Sequence, residues 1–374
     1  MKKPLKILHL IGDHEDAGGV LSVIRNLQKV TPASSMEHVV WVKEGYRESR
    51  KPPLQYRYSR YVVAESIHHW KLLAQAWPAF KELQSLLSNE PFHLLHAHSR
   101  GTLLVAILAS KMLRRKVLFT NHNYAHRTGL YRWAARQPRI HTVMLTPNMA
   151  RHYNIPESGN RTSIISACFA QDLLTSPIPS LHATPPRTSI KLVGVGNVIG
   201  WKKWDLILKA LELLEPSQQS KLCFDIWGPT PDLPEAIAFE KALRERLHQA
   251  GLEDSFRLRG PTHEVEAKIR EADWFILPST NEPCSVALME ALALGCPALV
   301  SASGGNVDII KESCGKTFRP DDPESLADVL SELLQNPRPK ATPEAIRESV
   351  KHRSASVVFN QYEKLYHRVN GDLT

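Results

Sequence analysis

The most informative segment of the sequence is Asn281–Asp308, NEPCSVALMEALALGCPALVSASGGNVD. Glu282 follows the apolar run WFILPS, and Glu290 lies within the apolar run SVALMEALA. Ser285 is a typical N-cap residue, so a helix is predicted to begin there and to end before Gly295. A short apolar run and a Ser-Gly-Gly turn come next. This order predicts a buried strand, a loop that carries an acid, a helix and a second buried strand.

The same stretch has the chemistry to hold a sugar, a diphosphate and a ribose. A helix N-terminus offers unpaired backbone N–H groups that attract phosphate, and here they belong to Cys284, Ser285 and Val286. A carboxylate such as Glu290 can accept two hydrogen bonds from a ribose diol, and Glu282 can do the same for sugar hydroxyls. The alternative is that both acids are solvated residues that flank a helix.

This E-x7-E pattern and its surroundings resemble the retaining glycosyltransferases of family 4, also called glycosyl transferases group 1. Members of that family have the GT-B fold. The resemblance therefore implies an α/β protein with two Rossmann-like, doubly wound domains that face a central cleft. In that family, the acid that corresponds to Glu282 binds sugar hydroxyls, and the acid that corresponds to Glu290 binds the ribose.

The rest of the chain alternates between strand and helix patterns, as parallel sheets covered by helices require. Residues 176–189, SPIPSLHATPPRTS, carry four prolines without periodicity and predict a linker. We therefore expect an N-terminal, acceptor-side domain over residues 1–175 and a nucleotide-sugar-binding domain over residues 190–353. The family resemblance implies that a final helix, residues 354–374, packs back on the first domain.

A second motif, GNVIGWKKWD, follows a predicted strand and begins at Gly196. Family 4 enzymes have a Gly-Arg pair here and a Lys followed by Gly five or six residues later, and the two cations neutralise the donor diphosphate. This chain has Lys202 and Lys203 at the two spacings but Asn197 in place of the arginine. The resemblance implies phosphate binding by the lysines, and Asn197 removes one expected charge. A surface lysine pair is the alternative.

Three further sites follow from the resemblance. The loop with Gly18 and Gly19 faces the donor phosphates in the family, although a plain tight turn is the alternative. His122, at the end of a predicted strand, corresponds to a family histidine near the transferred sugar, although a lone strand-end histidine is otherwise more often structural. Gly260 lies where the family holds the nucleotide base.

A metal at the H-x-H pair His96-Ala-His98 is disfavoured, because alternating strand residues explain that spacing.

Charge is unevenly distributed along the chain. Residues 1–175 contain 24 Lys and Arg against 11 Asp and Glu, a net charge of +13, whereas the remainder carries −4. Residues 101–150 hold eight basic side chains and no acidic one. Such a field favours an anionic partner, which could be a phospholipid surface, a phosphorylated acceptor or nucleic acid. A solvated basic face without a partner is the alternative.

The cellular location is predicted from the cysteines and the apolar segments. The five cysteines are scattered and odd in number, which favours a reducing compartment. The first apolar segment is interrupted by Lys6 and His9 and predicts a strand, not a signal peptide. No apolar run approaches the roughly 20 residues that span a bilayer. We expect a cytoplasmic protein that binds peripherally to the inner face of the membrane.

The expected function is transfer of a hexose-type sugar from a nucleotide-diphosphate-sugar to a hydroxyl, with retention at the anomeric carbon. The acceptor is expected to be a glycolipid or a cell-surface polysaccharide precursor. The nucleotide sugar is a co-substrate, and no metal, other cofactor or specific nucleic acid is expected. Alternatives are a small soluble acceptor, a non-catalytic GT-B protein that binds a nucleotide or glycan, and a basic nucleic-acid-binding module. Glu282 and Glu290 favour catalysis, whereas Asn197 favours the non-catalytic alternative.

Overall fold

The computed structural model describes residues 4–12, 19–48, 54–61, 63, 69–178 and 189–371. The chain forms two compact units. One comprises Met1–Cys168 together with Ala355–Thr374, and the other comprises Phe169–Ser354. Gly18 lies outside the described residues, as does most of the predicted linker.

Each unit is built on a parallel sheet. The strands of the described chain are β1 (Leu5–Leu10), β2 (Met36–Lys43), β3 (Gln55–Ser59), β4 (Leu94–Ala97), β5 (Val117–Asn121), β6 (Ile140–Met144), β7 (Thr162–Ile164), β8 (Ile190–Val195), β9 (Leu222–Trp227), β10 (Phe256–Gly260), β11 (Trp274–Leu277), β12 (Ala298–Ser301) and β13 (Gly315–Phe318).

Helices lie between most of these strands, and three helices follow β13. They are α1 (Gly19–Val30), α2 (His69–Asn89), α3 (Arg100–Met112), α4 (Gly129–Ala134), α5 (Pro147–Tyr153), α6 (Trp204–Glu212), α7 (Pro216–Gln219), α8 (Pro234–Ala250), α9 (Val265–Arg270), α10 (Val286–Ala293), α11 (Pro323–Gln335), α12 (Pro343–Val350) and α13 (Ala355–Asn370). No helix of the described chain is both long and apolar enough to cross a membrane.

In the first unit the described strands follow the order β3-β2-β1-β4-β5-β6-β7. The central strands β1, β4 and β5 are mostly apolar and almost entirely buried, as expected for a parallel sheet covered on both faces, although β1 and β4 also carry His9 and His96. In the register of the sheet, His9 of β1 pairs with His96 of β4. Helix α13 belongs to this unit, and Tyr366 of α13 is fully buried beside His96.

In the second unit the described strands follow the order β10-β9-β8-β11-β12-β13. The order reverses direction between β8 and β11, and in open α/β sheets ligands bind at the carboxyl ends of strands near such a point. The core of this unit includes Trp204 and Trp274, whose side chains are almost fully buried. The GT-B fold class predicted from the sequence is confirmed by two parallel α/β units of this kind.

The division between the units differs from the predicted one by a few residues. Residues 169–175, expected in the first domain, belong to the second unit. Phe169 forms a β-bridge with Ser354, and the guanidinium of Arg347 donates hydrogen bonds to the carbonyl oxygens of Leu174 and Ser176. These contacts hold the segment on the second unit. The linker prediction for residues 179–188 lies outside the described residues.

Candidate functional site

In the second unit, glycines stand at the carboxyl ends of three neighbouring strands. The backbone N–H of Gly196 donates to the oxygen of Trp227 over 2.9 Å, and the N–H of Gly228 donates to the oxygen of Gly260 over 2.9 Å. A Cβ at Gly228 would lie 2.0 Å from the oxygen of Gly196, so only glycine fits there. The carboxyl ends of β8, β9 and β10 are therefore held close together at Gly196, Gly228 and Gly260. Gly228 was not predicted from the sequence, where its only signal is its place directly after an apolar strand.

Lys202 and Glu282, from the two motifs singled out in the sequence, meet in this unit. The Nζ of Lys202 lies 3.1 Å from both carboxylate oxygens of Glu282, and both side chains are buried. The same Nζ lies 4.3 Å from the centre of the Trp201 ring. A buried cation is therefore held by a carboxylate and an aromatic face.

Lys203 does not join this pair. Its backbone is left-handed, with φ of 57°, and its Nζ lies 2.8 Å from the carboxylate of Asp321. The side chain of Asp321 is more than half exposed, so this ion pair is near the surface. Of the two lysines considered for the phosphate site, the structure therefore brings Lys202, and not Lys203, to Glu282. The phosphate-binding roles of both lysines stay predictions.

The loop of Glu282 is fixed by the glycine turn that follows β12. Asn281 has a left-handed backbone, with φ of 55°, and its N–H donates to the Oγ of Ser303 over 2.9 Å. The N–H of Gly305 donates to the carbonyl oxygen of Glu282 over 2.7 Å. A Cβ at Gly304 would lie 2.6 Å from that same oxygen, so the close fit requires glycine. The main chain of Glu282 is thus held at a defined position.

Helix α10 begins as the sequence predicts. The Oγ of Ser285 accepts a hydrogen bond from the N–H of Leu288 over 3.2 Å, which confirms Ser285 as the N-cap. Cys284 is buried, and the guanidinium of Arg353 contacts its sulfur at 3.9 Å. Glu290 is the fifth residue of the helix and is half-buried, whereas Val286 is its first residue. The ligand roles assigned to these residues stay predictions.

The remaining predicted residues are found at separate places. Asn197 is half-buried, and its carbonyl oxygen accepts a hydrogen bond from the indole of Trp204 over 3.0 Å. Gly19 begins helix α1 and is exposed. In the first unit, His122 directly follows β5, and its Nε2 lies 3.1 Å from the Nδ1 of His98. Burial lowers the pKa of His122 to about 4, so its ring is neutral near pH 7.

His96 and His98 belong to a larger group of buried histidines that was not predicted from the sequence. Ligand atoms of His9, His96 and His98 all lie within 4.8 Å of one another, so this is a place in the described chain where a metal could bind. The Nδ1 of His96 is 2.8 Å from the hydroxyl of Tyr366, and its Nε2 is 2.8 Å from the hydroxyl of Thr120. Both nitrogens of His96 are thus satisfied without a metal.

Comparisons with known proteins identify the family of this chain. The family model for glycosyl transferases group 1 matches residues 183–353, and the model for glycosyltransferase family 4 matches residues 17–154. The chain belongs to the family 4, or group 1, glycosyltransferases. Its enzyme class, predicted as glycosyltransferase, is therefore confirmed.

Individual relatives of this glycosyltransferase have modest identity. The lipopolysaccharide core biosynthesis mannosyltransferase LpsB of Rhizobium meliloti is 26% identical over 67% of the chain and 72% of its own length. The putative colanic acid biosynthesis glycosyltransferase WcaL of Escherichia coli is 28% identical over 47% of the chain, which spans 44% of WcaL. The structure of Anabaena HepE in complex with UDP-glucose has a TM-score of 0.75 and 17% identity, over 96% of the chain and 98% of HepE. This last likeness concerns the fold alone.

Proposed function

We propose that the protein transfers a hexose-type sugar from a nucleotide-diphosphate-sugar to a hydroxyl group, with retention of the anomeric configuration. The observation that carries the proposal is the buried ion pair of Lys202 and Glu282, with oxygens 3.1 Å from the lysine nitrogen. This pair would provide a cation for phosphate beside a carboxylate for sugar hydroxyls. Helix α10 begins a few residues after Glu282.

The ion pair of Lys202 and Glu282 suits a ligand that carries both a phosphate and sugar hydroxyls. Buried charges are costly unless they are paired, and without donor the two side chains neutralise each other. A donor would bring a diphosphate to Lys202 and hydroxyls to Glu282, so each side chain would exchange one buried partner for another. The N-terminus of α10 would add backbone N–H groups for the diphosphate, and Glu290 would bind the ribose.

Catalysis would be mainly electrostatic. Negative charge develops on the departing diphosphate, and fixed donors stabilise that charge without having to reorganise. Lys202 and the N–H groups at the start of α10 would be those donors. The acceptor hydroxyl would be positioned at the anomeric carbon, and no metal would be required.

The proposed acceptor is a glycolipid or a cell-surface polysaccharide precursor. LpsB and WcaL are named for lipopolysaccharide core and colanic acid biosynthesis, respectively, which supports this class of acceptor. The high positive charge of residues 1–175 also favours an acceptor that is anionic or embedded in an anionic surface.

We further propose that a basic face of the first unit binds the cytoplasmic side of an anionic membrane. The end of α3 and helix α4 expose cations, and the Nζ of Lys111 lies 4.8 Å from the centre of the Trp133 ring. Met112 and Trp133 are exposed apolar side chains at the same place. Exposed Arg132 and Arg136 flank Trp133. Cations with interspersed large apolar side chains are suited to an anionic lipid surface.

Donor binding is tested by thermal unfolding with UDP, GDP, ADP and their hexose conjugates. A ligand at 100 times its dissociation constant adds about 2.7 kcal/mol of stability. We expect one base to raise the Tm of the wild type and to have little effect on Glu290→Ala. Glu235→Ala, which removes an exposed acid from α8, is the matched control and should respond as the wild type does. A wild type that responds to none of these ligands would contradict the proposal.

Two further measurements address the transfer and the membrane. Product anomers resolved by NMR should have the configuration of the donor sugar, and inverted products would refute retention. Sedimentation with vesicles should show binding to anionic and not to zwitterionic lipid, and binding should weaken in salt. Arg132→Glu with Arg136→Glu should abolish that binding, and equal binding by this variant would refute the proposed face.

A further inference from the structure

Four histidines form a hydrogen-bonded row across the sheet of the first unit. They come from four consecutive strands in the sheet order β2-β1-β4-β5. His38 lies in β2, His9 in β1, His98 directly after β4 and His122 directly after β5. We call this row, His38-His9-His98-His122, the histidine chain. Its members are far apart in sequence and meet because the strands are parallel neighbours.

Every link of the histidine chain has hydrogen-bond length. The Nδ1 of His38 lies 2.9 Å from the Nε2 of His9, and the Nδ1 of His9 lies 2.9 Å from the Nε2 of His98. The Nδ1 of His98 lies 3.1 Å from the Nε2 of His122. Each link thus joins an Nδ1 to an Nε2, so the rings are connected head to tail.

The histidine chain is anchored at its His38 end by Thr31. The Oγ1 of Thr31 lies 2.7 Å from the carbonyl oxygen of Leu27 and 3.2 Å from the Nε2 of His38. A carbonyl oxygen only accepts, so the single hydroxyl proton of Thr31 is donated to Leu27. The hydroxyl must then accept from His38, and the Nε2 of His38 carries a proton.

The proton on the Nε2 of His38 determines the proton positions on the other three rings. A neutral imidazole has one N–H, so the Nδ1 of His38 must accept from the Nε2 of His9. By the same rule, the Nε2 of His98 donates to the Nδ1 of His9, and the Nε2 of His122 donates to the Nδ1 of His98. The Nδ1 of His122 is left with a lone pair. Within the described part of the first unit, no side chain or backbone group hydrogen bonds to this Nδ1.

The neutral state required by this reasoning is supported by burial. Burial lowers the pKa of His38 and of His122 to about 4, and it lowers the pKa values of His9 and His98 well below the ordinary range, with smaller contributions from neighbouring histidines. All four rings are therefore uncharged near pH 7.

We infer that the histidine chain fixes the tautomer of His122, with the proton on Nε2 and Nδ1 held as an acceptor for a hydroxyl of the transferred sugar. The tautomer follows from the hydrogen bonds alone, whereas the sugar contact rests on the proposed function. Thr31 and His38 would be positioning residues that act on His122 through the other rings. The histidine chain thus favours a ligand hydroxyl that donates a hydrogen bond to the Nδ1 of His122, and it disfavours a ligand group that can only accept one.

A metal at His9, His96 and His98 would be incompatible with this arrangement. Coordination would use a lone pair that now accepts a hydrogen bond, in particular at the Nδ1 of His9, which accepts from His98. A metal and the ordered tautomers therefore make opposite predictions for the purified protein. Elemental analysis distinguishes them.

The direct experiment is nitrogen-15 NMR of the full chain with labelled histidine, recorded near pH 7 without donor. In the wild type, Nδ1 of His122 should resonate as an unprotonated nitrogen and Nε2 as a protonated one. Thr31→Val removes the acceptor of His38, so the order should be lost and His122 should show mixed or reversed tautomers. Thr31→Ser keeps the hydroxyl and should match the wild type.

A second variant guards against misfolding at Thr31, which lies just after the end of α1. His38→Leu removes the acceptor of His9 and should disorder His122 in the same way, whereas His38→Asn retains an acceptor oxygen. A protonated Nδ1 of His122 in the wild type would overturn the inference. So would unchanged tautomers in both Thr31→Val and His38→Leu, or one equivalent of tightly bound zinc.

Binding measurements separate this inference from the proposed function. In Thr31→Val the dissociation constant for the nucleotide sugar should rise about fivefold, as expected for loss of one neutral hydrogen bond, while that for the bare nucleoside diphosphate should not change. Ordered tautomers without any nucleotide binding would refute the proposed function and leave the tautomer assignment standing. Equal weakening for both ligands would refute the sugar contact.

Discussion

The Nζ of Lys202 lies 3.1 Å from both carboxylate oxygens of Glu282, although the two residues are 80 positions apart. We predict that Lys202→Met destabilises the second unit by about 3–5 kcal/mol, because it leaves a buried carboxylate without its cation. Unfolding in urea measures the loss. The double variant Lys202→Met with Glu282→Leu should recover much of it.

Lys203→Met is the matched control for that prediction. Lys203 pairs with the exposed carboxylate of Asp321, and exposed pairs contribute about 0–1 kcal/mol. Equal losses of stability for the two lysine variants would contradict a special role for the buried pair.

Gly228→Ala tests the close approach of two strand ends. The added methyl would lie 2.0 Å from the oxygen of Gly196, and overpacking of this kind costs about 1–3 kcal/mol or more. We expect a lower urea midpoint. Gly129→Ala should have little effect, because a Cβ at Gly129 meets nothing within 4 Å. A Gly228→Ala protein as stable as Gly129→Ala would mean that the strand ends separate easily.

The stability of the first unit should fall in mild acid. The folded pKa of His38 is lowered from 6.5 to about 4 by burial, so the unfolded chain binds more protons between these values. This contribution is complete above about pH 6.5 and is lost as the pH falls towards 4. A shift of this size corresponds to about 3 kcal/mol.

Urea unfolding at several pH values between 7.5 and 4.5 measures this loss. His38→Gln removes one of the responsible groups, so its stability should depend less steeply on pH than that of the wild type. His248→Gln, at an exposed position, should retain the wild-type dependence. A pH dependence that His38→Gln leaves unchanged would assign the effect to other groups.

Loss of the N-cap of α10 should reduce the stability of the second unit by less than loss of the buried ion pair does. Ser285→Ala leaves the N–H of Leu288 without its acceptor, and loss of an N-cap costs about 1 kcal/mol. Ser285→Thr keeps an oxygen at this position and should lose less. If the two variants were equally destabilised, the loss would come from packing around the buried serine and not from the cap.

The second unit was predicted well because its central strands are predominantly apolar. Hydrophobic patterns predict strands at residues 190–195, 222–227 and 274–277, and the structure has strands with these bounds. Strand β3, QYRYS, was missed because an edge strand of alternating polar and aromatic residues lacks that signal. Helix α12 was missed because it is short and largely polar.

The candidate site was predictable only where one motif contained it. Ser285 and Glu282 lie in a single stretch, so local patterns indicated both the cap and the loop acid. The contact of Glu282 with Lys202, and the order of the histidine chain, depend on which strands are neighbours. Sequence spacing does not contain that register, so the spacing of His96 and His98 alone indicated only alternation along a strand.

Helix α13 gives the two units different positions in the order of synthesis. The second unit is one continuous segment, Phe169–Ser354, whereas the first is completed by Ala355–Thr374. During translation the second unit can therefore fold as soon as it leaves the ribosome. The first must wait, with His96 lacking the hydroxyl of Tyr366, until helix α13 emerges. Of the two units, the one whose synthesis starts earlier is thus the one that is completed later.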